Sequence, residues 1–327
     1  MKIEILNMLL DNKGNFISGE YISDKLGITR AAVWKYIKSI KEEGYEVESS
    51  SKKGYKIIGR PEILTYTEIK DFLNTKFIGR EVIHYSSVDS TNLKAKEINI
   101  KDIKSGTVVV SEEQSSGRGR LGRKWVSPFG KGVWMSIILK PDIDPSNAYK
   151  LTVITAAAVY NALKANGIES LIKWPNDILL NGKKICGILT EMSAELNIIN
   201  NLIIGIGINI NSKPCDFPED LISIASSLYI EKNIVFNRKK IMADILNNFE
   251  LLYESFISSG SIESSIDICK NNSAVLSKDI LLVKRNESIL VKAIDINSEG
   301  YLIVQEGNDI YPVMSGEVSI RSSRGYI

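Results

Sequence analysis

Histidine is almost missing: His84 is the only one in 327 residues. Serine–histidine catalysis and metal binding through histidine are therefore not expected. The three cysteines, Cys186, Cys215 and Cys269, are far apart and show no metal-ligand spacing, which points to a reduced compartment and not to a disulfide framework. No apolar run approaches the roughly 20 residues of a membrane span. The first residues, Met1-Lys-Ile-Glu-Ile, lack a signal peptide's apolar core, so a cytoplasmic location without membrane contact is expected. Nor is there an excess of charge. Against 41 Lys and Arg stand 39 Asp and Glu, a net of +2, so any basic site must be local. Chemistry is left to Arg, Lys, Asp, Asn and a bound cation. With 44% hydrophobic and 24% charged residues the composition is that of a globular protein with sizeable cores, and the length suggests two or three domains.

What is concentrated is Gly117-Arg-Gly-Arg-Leu-Gly-Arg-Lys-Trp125, a run of glycines and cations closed by an aromatic. Glycine lets backbone N–H groups approach a ligand closely, and arginine forks match phosphate and carboxylate oxygens. The stretch suits a polyanion, nucleotide phosphates first. Its G-x-G-x-x-G spacing is not a dinucleotide fingerprint. A strand-like run, 107–111, precedes it, but Ser127-Pro-Phe-Gly130 allows no helix to follow. Nor is it a P-loop, because Arg123-Lys124 stands where Lys-Ser/Thr is required. Taken alone, it is equally a solvated basic loop.

Residues 1–60 read as helices followed by a hairpin. Ile5, Leu6, Leu9 and Leu10 form a helical stripe. Ser18 caps a second helix that Gly27 stops, and Thr29 caps a third. On the third, Val33, Tyr36, Ile37 and Ile40 share one face, with Arg30, Trp34, Lys38 and Lys41 on its neighbour. Two alternating runs then flank Ser50-Ser-Lys-Lys-Gly54. This is the pattern of a winged helix-turn-helix, whose DNA contacts are expected from Thr29, Arg30, Ala31, Trp34, Lys35 and Lys38, with Lys52 and Lys53 at the wing tip. The segment holds 11 Lys and Arg against 8 Asp and Glu, a modest excess placed where phosphate contacts belong. A plain three-helix interaction module is the alternative.

Beyond Pro61 the pattern is α+β. Short helices are expected at 67–72 and 92–98, the second capped by Ser90 and Thr91, whose hydroxyls can also face a pocket. Strands are expected at 81–85, 107–111, 132–139 and 171–172, and a long helix at 147–166. Asn181-Gly182 makes a type I′ hairpin between 177–180 and 183–192. Asn200-Asn201 then reverses the chain into 202–211, where Gly205 and Gly207 mark close approach by a ligand or backbone. In Lys173-Trp-Pro-Asn-Asp177 the proline turn presents Asn176 and Asp177. Consecutive hairpins imply a mostly antiparallel, mixed sheet with helices on one side. Amphipathic helices follow at 238–256 and 262–269. From about 272 the pattern becomes short strands separated by turns, a small β-barrel beginning at 274.

Several motifs occur in one order: Asp89-Ser-Thr-Asn92, the glycine–arginine stretch, Ser127-Pro-Phe-Gly130, Lys173-Trp-Pro-Asn-Asp177, Lys184-Ile-Cys-Gly-Ile-Leu189, Gly205-Ile-Gly-Ile-Asn209 and Gly316-Glu-Val-Ser-Ile-Arg321. Together they resemble the bacterial family of bifunctional biotin–protein ligases and biotin-operon repressors, over the whole chain including its head. The resemblance implies a winged helix-turn-helix at 1–60, a biotin- and ATP-binding catalytic domain at 65–271 similar to class II aminoacyl-tRNA synthetases, and an SH3-like barrel at 272–327. It implies two chemical steps. The biotin carboxylate attacks the α-phosphate of ATP, giving biotinyl-5′-AMP and pyrophosphate. A lysine of biotin carboxyl carrier protein, the acetyl-CoA carboxylase subunit, then displaces AMP. It also implies a homodimer on operator DNA with biotinyl-5′-AMP as corepressor.

Carried over residue by residue, the resemblance makes Lys184, Arg118 and Arg120 the catalytic cations. Ser90, Thr91, Asn92, Gln114, Gly117, Trp134, Gly187 and Gly205 join them around biotin. Hydroxyl and amide groups there complement a ureido ring's one acceptor and two donors. Arg123, Trp125, Asn176, Asp177, Asn209, Glu317 and Arg321 fall on the ATP side, Asp177 also as a Mg²⁺ ligand. Two anions must meet, so cations belong where charge grows. Without the resemblance Lys184 reads as a surface lysine, and Trp125 and Trp134 equally as core. Leu121 stands where the family can have a basic residue, and Cys186 at a small-residue position. A biotin-sensing repressor without ligase activity, a lipoate-type acyl ligase, and a ligase whose head no longer binds DNA stay open.

Overall fold

Short polar residues set the boundaries of the first helices. The computed structural model describes residues 1–12, 14–98, 102–195, 198–284, 287–314 and 319–322. Helix α1 (Lys2–Asp11) is followed by α2 (Gly19–Leu26) and α3 (Arg30–Glu42). Ser18 accepts a hydrogen bond from Tyr21 N–H, and Thr29 accepts one from Ala32 N–H, as expected of N-caps. Gly27 closes α2 in the left-handed region at φ 64°. Ile5, Leu9, Ile22, Val33, Ile37 and Ile40 pack into one core. Strands β1 (Glu46–Ser50) and β2 (Gly54–Gly59) form the antiparallel wing. Gly54 is needed there: φ is 98°, and a Cβ would fall 1.9 Å from Ile17 O. These elements make one compact unit, Met1–Ile63.

The second unit, Leu64–Ile327, is built on a seven-stranded sheet. Its strands are β3 (Val82–Tyr85), β4 (Thr107–Ser111), β5 (Gly132–Leu139), β6 (Leu171–Lys173), β7 (Asp177–Leu180), β8 (Lys183–Glu195) and β9 (Ile198–Asn209). They lie in the order β3-β4-β5-β9-β8-β7-β6. Only β3 and β4 pair in parallel. The helices are α4 (Tyr66–Ile69), α5 (Thr91–Glu97), α6 (Lys150–Ala165), α7 (Leu228–Lys232), α8 (Arg238–Ser259) and α9 (Glu263–Asn271). Alanine-rich α6 is buried along most of its length, between the sheet and α8. Each large aliphatic or aromatic side chain sealed into this core contributes about 1.5–3 kcal/mol.

Two expectations need correcting. Helices do not all lie on one side. Val108 and Val110 point into the core shared with α6 and α8, while Val109 points the other way, where Ala95 of α5 meets Ile138 and Ile203. A strand covered on both faces must be apolar throughout, as β4 is. Asn200-Asn201 does not reverse the chain either. Both lie inside β9, with Asn201 opposite Ser193, because pairing with the long β8 overrides the turn propensity of asparagine.

The expected barrel region is a five-stranded antiparallel sheet: β10 (Asp279–Lys284), β11 (Glu287–Ile296), β12 (Leu302–Glu306), β13 (Asp309–Val313) and β14 (Ser319–Ser322), ordered β13-β12-β11-β10-β14. It begins later than expected. Ala274 N–H instead donates to Ile172 O on β6, which ties the barrel to the sheet edge. Trp174 Nε1 donates to Gly300 O at 3.0 Å, and Tyr149 stacks on Tyr301. Sheet and barrel share one hydrophobic core.

Candidate active site

Beside α5, on the same face of the sheet, lies a cavity of about 530 Å³. Its floor is bare backbone. Gly187 and Gly207 are cross-strand partners, and Gly205 lies two residues further along β9. A Cβ at Gly205 would fall 2.4 Å from Asn92 Oδ1, and one at Gly207 would fall 2.6 Å from Trp125 Nε1. Only glycine admits these side chains.

One end of the cavity is uncharged and densely hydrogen-bonded. Ser90 is the N-cap of α5 yet makes no capping bond through its hydroxyl, and Thr91 is the first helical residue. Both side chains line the cavity instead, as does Gln114. Gln114 Oε1 accepts from Thr91 N–H at 2.9 Å, and Gln114 Nε2 donates to Ser127 Oγ at 2.8 Å. Ser136 Oγ lies 2.8 Å from Thr91 Oγ1 and 2.6 Å from Asn92 Oδ1. Asn92 Nδ2 donates to Glu191 Oε2 at 2.8 Å, and Lys96 Nζ donates to Glu191 Oε1 at 2.6 Å. Burial pushes the Glu191 carboxyl up, but hydrogen bonds from Lys96 and Asn92, with the charges of Lys96 and Arg118, outweigh it and hold the group below its ordinary value.

The other end is cationic. Trp125 N–H donates to Gly117 O at 2.8 Å and Gly119 N–H to Arg123 O at 2.7 Å, folding the glycine–arginine stretch into a small hairpin. A Cβ at Gly117 would meet Trp125 O at 2.4 Å. At the hairpin tip Leu121 takes φ 57°, left-handed for a bulky residue. Arg118, Arg120, Arg123, Asn176, Asp177, Lys184 and Asn209 all line this cavity. Arg120 Nη1 donates to Asn176 Oδ1, and Asn176 Nδ2 to Ile188 O, each at 2.9 Å. Asn176 is therefore a buried brace for Arg120, more packed than its proline turn suggests. Burial lowers the Arg120 pKa and Asp177 opposes it; the guanidinium stays charged. Lys184 Nζ lies 2.6 Å from Asp177 Oδ1 and 5.2 Å from the centroid of the Trp125 ring.

Lys184 reaches this face through a β-bulge. The register with β7 shifts between Ile178 and Leu179, so Ile185 and Cys186 both point into the core. Lys184 then shares the cavity face with Gly187, where a Cβ would fall 3.2 Å from Lys184 Nζ. Cys186 packs as a small hydrophobe, its thiol pushed up by burial.

Trp134, expected around biotin, is fully buried and is not among the residues lining the cavity. Its ring packs over Gly132, where a Cβ would fall 2.3 Å from it. Gly117 acts through backbone proximity. From the barrel, Ile320 lines the cavity. Arg321 follows it on β14, its side chain outside what is described, and Gly316 and Glu317 lie outside the described residues. Ser136, Glu191, Ser127 and buried Lys173 had no assigned role in the sequence reading. Ser127 and Lys173 do stand within the ordered motifs, and Ser136 is a lone serine within apolar β5.

In the first unit, Arg30, Ala31, Trp34, Lys35, Lys38, Lys52 and Lys53 are exposed. Arg30, Trp34, Lys38 and Lys52 edge a groove between α3 and the wing. The Thr29 hydroxyl is engaged as the cap of α3. Arg30 pairs with Glu20 at 2.8 Å, an exposed contact that phosphate can displace at little cost.

A cavity with a polar recognition end, a cluster of cations at the other, and a glycine-floored sheet between them defines a carboxylate-activating ligase, here on a chain with a winged helix-turn-helix. Comparison with known proteins agrees. Residues 85–209 match the biotin/lipoate A/B protein ligase family, 2–56 an HTH domain and 279–321 the biotin protein ligase C terminal domain. The bifunctional ligase/repressor BirA of Bacillus subtilis is 40% identical over 95% of this chain and 96% of its own length. Its Escherichia coli namesake is 28% identical over 95% and 94%. The structure of Aquifex aeolicus biotin protein ligase in complex with biotin and ATP superposes with a TM-score of 0.66 at 29% identity, covering 75% of this chain and all of that one. The chain belongs to the bifunctional ligase/repressor family.

Proposed function

We propose that this chain condenses biotin with ATP to biotinyl-5′-AMP, transfers the biotinyl group to a lysine of the biotin carboxyl carrier protein of acetyl-CoA carboxylase, and represses biotin operon genes in the cytoplasm as an operator-bound homodimer. The observation that carries the reading is the convergence of Arg118, Arg120 and Lys184 on one cavity whose far end offers hydroxyls and amides to a neutral ring. In the first step the ligand carboxylate forms a C–O–P bond to the α-phosphorus as pyrophosphate leaves. Arg118 and Lys184 offset the repulsion between the two anions, and Arg120, braced by Asn176, holds the adenylate. In the second step the carrier amine forms a C–N bond, the acyl C–O bond breaks and AMP departs.

Among the described residues no group of three or more His, Cys, Asp or Glu could hold a metal ion. Asp177 is the one carboxylate among the described residues lining the cavity, beside Lys184. A Mg²⁺ shared between Asp177 and nucleotide phosphates fits that donor set, since Mg²⁺ takes few carboxylates and keeps phosphate oxygens. Bound there, it would neutralise phosphate charge.

The test is biotin-dependent exchange of labelled pyrophosphate into ATP. Wild type supports exchange, and Lys184→Ala reduces it about 10²–10³-fold. Wild type that binds biotin without exchange would make the chain a sensor only. For the repressor role, biotin with ATP should strengthen a salt-dependent gel shift on operator DNA, and Lys38→Ala should weaken it. A shift indifferent to both ligands would separate the head from the cavity.

A further inference from the structure

Most polar groups of the recognition end are hydrogen-bonded to other protein groups, and the run leads to one carboxylate outside the assigned residues. Lys96, Glu191, Asn92, Ser136, Thr91, Gln114 and Ser127 form a continuous hydrogen-bonded run. A carboxylate only accepts, so the Asn92 amide turns its Nδ2 to Glu191 at 2.8 Å, with a longer 3.3 Å contact to Leu189 O, and its Oδ1 to Ser136. A serine hydroxyl has one proton. Asn92 Oδ1 cannot donate, so the Ser136 proton goes to it. The 2.8 Å contact between Ser136 and Thr91 must then use the Thr91 proton. Its other hydrogen-bond acceptor among the described residues, Gln114 Oε1 at 3.2 Å, is also a protein atom. Either way the Thr91 hydroxyl offers the cavity lone pairs alone.

We propose that Glu191 is a positioning residue that sets the direction of this hydrogen-bonded run, and so makes Thr91 an obligate acceptor for an N–H of the ligand's cyclic urea. The proposal rests on the biotin reading above. The low carboxyl pKa of Glu191 keeps it an acceptor throughout the physiological range. The direction is reversible in principle. A neutral amide at 191 can donate to Asn92 Oδ1. Asn92 Nδ2 then gives up its long contact to Leu189 O and donates to Ser136, Ser136 donates to Thr91, and the Thr91 proton is free for a ligand acceptor in competition with Gln114 Oε1. The glycine at 205 leaves Asn92 room but no slack, since a Cβ there would touch its amide.

The test uses full-length Glu191→Gln, a near-isosteric change, and the two cyclic carbamate analogues of biotin in which one ureido N–H is replaced by oxygen. Wild type should reject the analogue that sets oxygen against Thr91 by on the order of 10²-fold, because two acceptors then face each other. In Glu191→Gln the preference for urea over that carbamate should narrow at least tenfold. KM for biotin should rise roughly five- to twentyfold, with turnover at saturating biotin within about twofold. Ser136→Ala interrupts the same run from the other side and should narrow the same preference. Unchanged urea-to-carbamate preference in both variants, or a loss confined to turnover, would overturn the proposal. Wild type without biotin-dependent exchange would instead overturn the biotin reading. If Glu191→Gln does not fold, Ser136→Ala decides alone.

Discussion

The two ends of the cavity are stabilised in opposite ways. At the polar end Thr91, Asn92, Gln114, Ser127 and Ser136 satisfy one another, and most are buried. At the charged end Arg118 and Arg123 are exposed on a hairpin whose tip holds Leu121 at positive φ. Arg120 is held by Asn176 and Lys184 by Asp177. A saturated neutral network is rigid and discriminates between ligands by hydrogen-bond pattern. A cluster of like charges on a strained hairpin gains most when an anion arrives. Selectivity and response to ligand are thus separated in space within one cavity.

The sharpest way to break this contrast is at the floor of the polar end. Gly205→Ala places a Cβ 2.4 Å from Asn92 Oδ1. Biotin affinity by calorimetry should fall about 10²-fold and ATP affinity less than about threefold. Equal losses would mean that the two ends act as one.

Just past the end of β4, buried Glu112 tests the rigidity of the sheet that carries the cavity. Its Oε1 lies 2.9 Å from His84 Nε2, Arg238 Nη1 lies 2.8 Å from Oε2, and Arg238 also bonds Gly132 O. Burial pushes the Glu112 carboxyl up. The His84 hydrogen bond, the Arg238 charge and hydrogen bond and the Leu64 N–H outweigh that and hold it below its usual 4.5. A carboxyl with a depressed folded pKa stabilises above its unfolded value, and the stabilisation is lost as pH falls through the folded value. Urea midpoints should therefore be flat near neutrality and drop below about pH 4.5. Glu112→Gln should lower neutral stability by about 3 kcal/mol, because buried Arg238 loses its counter-charge, and should flatten the acid drop. An acid drop of wild-type size in Glu112→Gln would assign it to other groups.

The smallest effect belongs to the charged end. Leu121→Asn introduces a side chain that tolerates positive φ and should stabilise the fold slightly, by under about 1 kcal/mol, read as a small rise in melting temperature. A lower melting temperature would show that Leu121 contacts outweigh its backbone strain.

Much of this architecture was legible along the chain. Caps at Ser18 and Thr29, the Gly27 stop and the Asn181-Gly182 turn each act within a few residues, so propensity finds them. The ordered motifs placed both ends of the cavity. The failures are long-range. Asn200-Asn201 carries a turn signal that strand pairing overrides. Trp134 and Ser136 occupy the same face of β5, yet one is fully buried outside the cavity lining and the other joins Thr91 to Asn92.

The sequence by itself determined which residue types are present and in what order: cations and glycines in one stretch, hydroxyls and amides in another, a basic helix and wing at the start. These follow from local spacing. Only the tertiary structure decided that a bulge turns Lys184 onto the face of Gly187, that β9 sets Gly205 opposite Ser136, and that Glu191 on β8 meets Asn92 on α5. Each depends on register between segments far apart in the chain. A one-residue shift in register sends every side chain of a strand to the other face, and no local propensity encodes that choice.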